Sequence, residues 1–284
     1  MAHRIDNDLW LWFTVRIHRL LDQAWFGLNR AKLSARYNEV EKMLLFVGYP
    51  RSGHSFVGSL LDAHPEVLIA HRLDVVRSLT ANADMARLYY LMQRNSERFN
   101  ANNRRLTGYS SPMKTGWQGA YDRLSVVGDQ EGKRTSLKVG RSPELLAELA
   151  VRKNPPMYFL HITRNSFDNI ATWAARTGRS LDATAQDYFE LCECNQKIID
   201  AVRTDRLLTI RHEDVIGDFD VTVSRILNFL GLPAPKGYLD ACRATVYPLP
   251  NRSRDRVSWT EELIGDVERQ MKTFEFLQNY GYKN

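Results

Sequence analysis

Residues 48–55 read GYPRSGHS and have the composition of a phosphate-binding loop, placed between an apolar run and a helical pattern. Glycines let the backbone turn tightly, so that successive N–H groups point at an anion at the start of the following helix. The spacing matches the nucleotide-triphosphatase pattern G-x-x-x-x-G-K-[ST], except that His54 replaces the lysine. The loop therefore predicts an anion site with Arg51 as its cation, and the missing lysine argues against a kinase or an ATPase.

A second anion site is predicted at residues 164–172. Arg164 ends the apolar run 157–163, and Thr172 follows eight residues later, two turns into the next predicted helix. A guanidinium is a planar fork of donors and a hydroxyl adds one more, so the two side chains can converge on one anion. The alternative is that Arg164 only pairs with Asp168 at the i,i+4 spacing of a helix.

Short apolar strands and amphipathic helices alternate along the chain and must position these residues. The predicted strands are 43–48, 124–127, 157–163 and 207–210, and the predicted helices are 56–63, 143–151, 168–176, 183–202, 221–230 and 260–280. This alternation predicts an α/β fold, a P-loop-type parallel sheet flanked by helices on both faces. We expect residues 1–42 to be an N-terminal helical extension and 43–284 one domain, in which 77–123 form a helical cap that binds the acceptor.

Composition and charge narrow the class of protein. The chain has 284 residues and a formal net charge of +6, which suits a polyanionic ligand or a merely basic surface; we expect no nucleic-acid partner. The chain has three cysteines, no 18-residue apolar run and no signal-peptide layout. These features predict a cytoplasmic protein. Residues 9–28 combine tryptophan, phenylalanine and arginine. They could contact a membrane surface weakly, or pack an aromatic stripe on the domain.

The stretch GYPRSGHSFVGSLLDAHPEV resembles the 5′-phosphosulfate loop of sulfotransferases that use 3′-phosphoadenosine-5′-phosphosulfate (PAPS). It is most similar to the branch that contains tyrosylprotein sulfotransferases and many bacterial enzymes. The resemblance extends from about residue 43 to 281 and implies which residues hold the two ends of PAPS. Those for the 5′-phosphosulfate are Arg51, Ser52, Gly53, His54 and Ser55. Those for the 3′-phosphate and its adenosine are Arg164, Thr172, Arg252, Ser253 and Arg254. The alternative for the basic segment 252–254 is that it forms a solvated loop.

The resemblance also indicates where a general base would lie. Tyrosylprotein sulfotransferases have a catalytic glutamate where this chain has Arg72, and an arginine cannot act as a base at neutral pH. The neighbouring His71, with an ordinary pKa near 6.5, is our candidate, and we expect activity to fall below that pH. Asp74 is the second candidate and His54 the third.

The sequence identifies the cation that would neutralise the leaving group less clearly than it identifies the anion-binding residues. Bacterial relatives read G-D-K-K-G after a strand, whereas residues 128–133 read GDQEGK. Both lysines of that motif are replaced, so Lys133, Arg134, Lys138 or Arg51 must take the role.

These observations predict the transfer of a sulfuryl group from PAPS to a hydroxyl acceptor, with an amine as the second choice, and without a metal ion. Trp117, Gln118 and Tyr121 resemble an aromatic and amide-bearing stretch that suits a carbohydrate acceptor, although core packing explains the two rings equally well. Two other functions stay open. One is phosphoryl transfer on the same type of loop, and the other is binding of a nucleotide or polyanion without catalysis. The acceptor and the oligomeric state are not predicted.

Overall fold

The structure is a computed structural model, and it describes residues 20–81, 83–104, 112–152, 154–246 and 249–283. Five strands form one parallel sheet in the order β2-β3-β1-β4-β5. The strands are β1 (Lys42–Gly48), β2 (Val67–Ala70), β3 (Val126–Asp129), β4 (Met157–Thr163) and β5 (Leu207–Arg211). Because every strand runs in the same direction, all five C-terminal ends meet at one edge of the sheet.

Thirteen α-helices lie in the described part of the chain. They are α1 (20–28), α2 (Arg30–Ala35), α3 (His54–Leu61), α4 (Val75–Thr80), α5 (Met85–Ala101), α6 (Gly132–Gly140), α7 (Pro143–Val151), α8 (Ser166–Thr177), α9 (Leu181–Ala201), α10 (His212–Gly217), α11 (Phe219–Leu230), α12 (Tyr238–Arg243) and α13 (Glu261–Met271). The predicted α/β class with a parallel sheet is confirmed. The predicted final helix 260–280 is too long: α13 ends at Met271, and the chain continues as a 3₁₀ turn at Glu275–Leu277.

Both faces of the sheet are covered, as the continuous apolar strands require. On β1, Leu45 and Val47 join a core with α5 and α7, while Leu44 and Phe46 join a second core with α3 and α11. These four side chains are at most 1% exposed. The alternation follows from the two-residue period of a strand, and it leaves only the ends of β1 available for a site.

A buried ion pair links α3 to the segment after α5. The side chains of Asp62 and Arg104 are both fully buried, with Arg104 Nη1 2.7 Å from Asp62 Oδ2. Asp62 also accepts hydrogen bonds from the amides of Ile69 and Gly119 and from the Ser96 hydroxyl. Burial raises the pKa of Asp62, and Arg104 acts against that rise. The carboxylate therefore joins β2, α3 and α5 through donors that have no access to water.

We predict that Asp62→Asn lowers the free energy of unfolding by about 3–5 kcal/mol, because it leaves the buried Arg104 charge uncompensated. Urea denaturation measures the change as a lower midpoint. The control is Asp205→Asn, which removes the exposed pair between Arg203 and Asp205 and should leave the midpoint almost unchanged. Equal midpoints for Asp62→Asn and the parent would contradict the structural role of this pair.

Candidate active site

The loop between β1 and α3 reverses direction with three residues at positive φ. Gly48 has φ 138°, Arg51 φ 71° and Gly53 φ 98°. A Cβ on Gly48 would lie 2.9 Å from the carbonyl oxygen of Ile162, so a side chain there would collide with β4. The turn brings the chain into the N-terminus of α3, where the first N–H groups have no intrahelical acceptor and the helix dipole favours an anion. This geometry suits a bound phosphate or sulfate.

The ring of His54 points from this loop into the core. Its Nε2 lies 3.2 Å from the carbonyl oxygen of Val47, and its Nδ1 lies 3.2 Å from Ser52 Oγ. A carbonyl can only accept, so the neutral ring carries its proton on Nε2. Burial lowers the pKa of His54 to about 4. In this arrangement the side chain of His54 supports the loop, and its backbone N–H remains the group offered at the helix N-terminus.

Two glycines make room for that ring. A Cβ on Gly48 would lie 3.0 Å from His54 Nε2, and a Cβ on Gly132, the first residue of α6, would lie 2.5 Å from His54 Cε1. The loop and the start of α6 are therefore packed through one imidazole. This contact explains why a bulky histidine is accommodated in the loop.

Arg164, Thr172 and Ser253 meet at the end of β4. Arg164 Nη1 donates to the carbonyl oxygen of Arg51 at 3.0 Å, and Nη2 donates to that of Asn251 at 2.6 Å. Thr172 Oγ1 lies 2.7 Å from Ser253 Oγ and 3.4 Å from Arg164 Nη1. Three segments far apart in sequence thus form one cluster of donors. Arg164 is only 6% exposed, so its charge is directed into the protein.

The two arginines beside Ser253 have other contacts. Arg254 is 3% exposed and donates to the carbonyl oxygen of Gly281 at 2.9 Å, while its amide donates to Asp168 Oδ1 at 2.9 Å. Arg252 is half-exposed and pairs with Asp255 at 3.1 Å. Within the segment 252–254, Ser253 is the residue whose side chain reaches Arg164 and Thr172. Arg254 holds the segment in place through α8 and the C-terminal chain.

His212 also lies at the candidate site, although no sequence motif marks it. It begins α10 directly after β5, and its ring lies against Gly53 of the loop, where a Cβ would collide with Nδ1. That Nδ1 is buried and has no hydrogen-bond partner in the described residues. Burial, and then the charge of Arg164, lower the pKa of His212 to about 3. Its position after a strand end, like that of Arg164 after β4, is the signal that could have revealed it.

On the other side of β1, His71 follows β2 and faces α5. Its ring stacks on Phe99 with centroids 3.8 Å apart and planes 7° apart, and its amide donates to Asn95 Oδ1. The side-chain amide of Gln130 hydrogen-bonds to His71 Nδ1. Burial, and then the charge of Arg72, lower the pKa of His71 to about 3. A loss of activity at pH 6.5 is therefore not expected from this residue, because its environment disfavours the imidazolium.

The loop that follows His71 is held by ion pairs and by Asp129. Asp129 Oδ1 and Oδ2 accept from the amides of Leu73 and Val75 at 3.1 and 2.9 Å, and burial raises the pKa of Asp129 to about 7. Asp74 has φ 63° and binds Lys138 Nζ through both carboxylate oxygens, at 2.6 and 2.7 Å. Asp74, the second candidate base, and Lys138, a candidate cation, thus neutralise each other.

Lys133, another candidate cation, and Arg72 have different surroundings. Lys133 Nζ lies 4.5 Å above the ring centre of Trp173, a cation–π contact. Arg72 Nε lies 3.2 Å from Glu131 Oε2, a carboxylate that is 3% exposed.

Among the described residues, no three histidine, cysteine, aspartate or glutamate side chains are grouped as metal ligands. No helix in the described ranges is long and apolar enough to span a membrane.

Comparison with known proteins decides the family. The family model described as "Sulfotransferase family" matches residues 44–236, which include the loop, His71, Arg164, Thr172 and His212. The chain belongs to the sulfotransferase family. Solved structures with the same fold include two bacterial sulfotransferase structures. The sulfotransferase domain of the Synechococcus PCC 7002 olefin synthase is 15% identical, with a TM-score of 0.52 over 83% of this chain and 94% of that one.

The second is sulfotransferase STF9 from Mycobacterium avium, which is 12% identical, with a TM-score of 0.52 over 89% of this chain and 81% of that one. At such identities, these structures show a shared fold and no more. No curated protein matches the sequence significantly.

Gln118 of the sulfotransferase is not exposed, as a residue that binds a carbohydrate would have to be. It is 6% exposed; its Oε1 accepts from the amide of Met113 at 2.8 Å, and its Nε2 donates to the carbonyl oxygen of Ser59 at 3.0 Å. Both ends of the amide thus satisfy buried backbone groups. Gln118 is therefore part of the buried structure around α3.

We predict that Gly132→Ala destabilises the sulfotransferase by about 1–3 kcal/mol, because the added methyl overlaps the His54 ring. Chemical denaturation measures the change. The control is Gly265→Ala in α13, where no atom lies within 4 Å of the new Cβ, and this variant should gain about 0.5–1 kcal/mol. If both variants were equally stabilised, the packing of His54 against α6 would be refuted.

Proposed function

We propose that this sulfotransferase transfers the sulfuryl group of PAPS to a hydroxyl acceptor, with an amine as a less favoured acceptor. The observation that supports this most is the hydrogen bond from Arg164 Nη1 to the carbonyl oxygen of Arg51. It joins two anion-binding positions, one at the end of β1 and one at the end of β4. PAPS is a nucleotide with an anionic group at each end, and the two positions match its two ends in charge.

The donors fit the groups of PAPS. Arg51, Ser52, Gly53, His54 and Ser55 would hold the 5′-phosphosulfate, chiefly through the backbone N–H groups at the start of α3. Arg164, Thr172 and Ser253 would hold the 3′-phosphate, with Arg252 at the exposed rim and Arg254 as the support of that segment. The unpartnered Nδ1 of His212, between the two positions, is a buried polar atom of the kind that a bound ligand satisfies.

Charge neutralisation would come from fixed groups. PAPS supplies the sulfuryl group, and negative charge then develops on the oxygen left with the phosphate. The N-terminus of α3 and Arg51 are our candidates to stabilise that oxygen, because Lys138 binds Asp74 and Lys133 stacks on Trp173. These groups are held by the fold and need little rearrangement.

The acceptor would bind beside His71, at the ends of β2 and β3. Residues 77–123, to which α5 contributes Asn95 and Phe99, are the cap that we assign to the acceptor. His71 is our candidate base, although its Nδ1 accepts from Gln130 and its low pKa makes it a weak one. A small hydroxyl compound is the acceptor class that we propose.

We predict that the PAPS product 3′,5′-diphosphoadenosine (PAP) raises the thermal midpoint, because a ligand that binds only the native state stabilises it. Arg164→Ala should abolish the shift, since it removes two charge-assisted donors, each worth about 1.5–3 kcal/mol. The control is Arg203→Ala, at the exposed Arg203–Asp205 pair, which should keep the full shift. Parental PAP affinity in Arg164→Ala would refute the 3′-phosphate site.

We predict that His71→Ala keeps PAP affinity and loses roughly 10²–10⁴-fold in kcat, the usual contribution of a general base. His71→Asn should do no better, because an amide cannot take a proton. The pKa of His71 is lowered to about 3, so the imidazole stays neutral and kcat should not fall with its titration between about pH 8 and pH 5. Parental kcat in His71→Ala would move the assignment to Asp74, with Asp74→Asn as the next variant.

An acceptor screen with ³⁵S-labelled PAPS tests the function as a whole. Label should pass to a hydroxyl compound, and the rate should survive EDTA because protein donors neutralise the phosphosulfate. Turnover of ATP with magnesium, without turnover of PAPS, would support the phosphotransferase alternative. Tight PAP binding without any transfer would support the binding protein.

A further inference from the structure

Helix α1 has apolar residues on the face that points away from the protein. Leu21, Trp25 and Leu28 are 61%, 57% and 83% exposed, whereas Asp22 and Phe26 are 6% and 2% exposed. Residues 21, 25 and 28 share one face of a helix, with the exposed Ala24 between them. This is the inverse of the usual pattern, in which the outward face of a surface helix is polar.

The orientation of α1 is fixed by its buried face. Asp22 pairs with Arg98 at 2.6 Å and with Arg94 at 3.4 Å, and both arginines lie on α5. Phe26 packs on Tyr90 of the same helix, with ring centres 5.7 Å apart. A rotation that hid Leu28 would break the ion pairs of a buried carboxylate. The apolar face is therefore presented outward by specific contacts.

This exposure is concentrated in one place. Seven large apolar side chains are exposed in the described residues, and four of them lie in the nine residues of α1. The four are Leu20, Leu21, Trp25 and Leu28. Together with Tyr90 and Arg94 of α5, three of them line an open groove. Isolated exposed apolar residues are ordinary, but a contiguous group marks an interaction surface.

The sequence that surrounds α1 is basic. Between residues 9 and 38 the sequence has five arginines and lysines and one acidic residue. That acidic residue is Asp22, which is buried and paired with two arginines. Lys32 is exposed, and Arg30 is exposed while pairing with Asp84 at 2.7 Å. A second copy of this chain would bring two basic segments together, so the charge disfavours a symmetric dimer through α1.

We propose that the outer face of α1 docks on an anionic phospholipid surface. A helix that combines leucine and tryptophan on one face with basic residues beside it can insert its apolar face at the level of the headgroups. Tryptophan suits that depth because its ring is apolar and its N–H is polar. Anionic lipid attracts the basic residues, which zwitterionic lipid does not.

Co-sedimentation of the full chain with vesicles tests the proposal. The protein should sediment with phosphatidylcholine vesicles that contain phosphatidylglycerol, and far less with phosphatidylcholine alone. Binding should weaken as sodium chloride is added, because salt screens the attraction. Lys32→Gln should weaken binding roughly fivefold, the usual effect of one basic residue near the surface.

Matched triple variants assign the surface. Leu21→Ser with Trp25→Ser and Leu28→Ser should abolish vesicle binding. The control triple Val151→Ser, Val221→Ser and Leu249→Ser removes three other exposed apolar side chains and should bind like the parent. Thermal melting of both variants checks that they fold, and PAP binding, measured separately, shows whether the nucleotide site is intact.

Two results would overturn the proposal. One is equal vesicle binding by the α1 triple variant and the parent, or no binding by either. The other is a dimer, detected by light scattering at rising protein concentration, that the α1 variant loses. That result would assign the face to a second copy of the chain. Neither outcome depends on whether the protein transfers sulfate.

Discussion

The guanidinium of Arg164 joins the phosphate loop to the C-terminal segment, and the rest of the candidate nucleotide site depends on this contact. It donates to the carbonyl oxygens of Arg51 and Asn251 and lies near the hydroxyls of Thr172 and Ser253. A buried cation is costly unless oxygen atoms surround it. The chain meets that requirement with backbone oxygens from two loops, which fixes both loops. The donors are thus arranged by folding, before any ligand binds.

Buried carboxylates shape the side of the sheet that we propose for the acceptor. Asp62 and Asp129 are both at most 1% exposed, and each accepts from backbone amides that shape the chain around β2. Arg72 and Asp74 have positive φ between these supports, and such backbone strain persists only where the surroundings impose it. The loop next to His71 is therefore rigid for reasons that lie outside the loop.

Much of the fold and of the nucleotide side could be predicted from sequence, because those signals are local. Strand 157–163 was predicted with its observed bounds, and the pairing of Arg164 with Thr172 follows from strand-to-helix geometry. β2 is absent from the predicted strands, and the predicted final helix is too long because Phe274, Leu277 and Tyr280 are buried by tertiary packing, which helical spacing mimics. The inward ring of His54 and the lowered pKa of His71 depend on residues distant in sequence, Gly132 and Phe99 among them, which no local pattern shows.

Helix α5 carries two kinds of contact on its two sides. Arg94 and Arg98 hold Asp22 of α1, while Asn95 and Phe99, within one turn of them, hold His71. A single helix thus contacts both a peripheral helix and the proposed acceptor position. Any event that displaces α5 at one side changes the other. Thermodynamic linkage then requires reciprocity: if docking of α1 alters acceptor affinity by some factor, acceptor binding alters docking by the same factor.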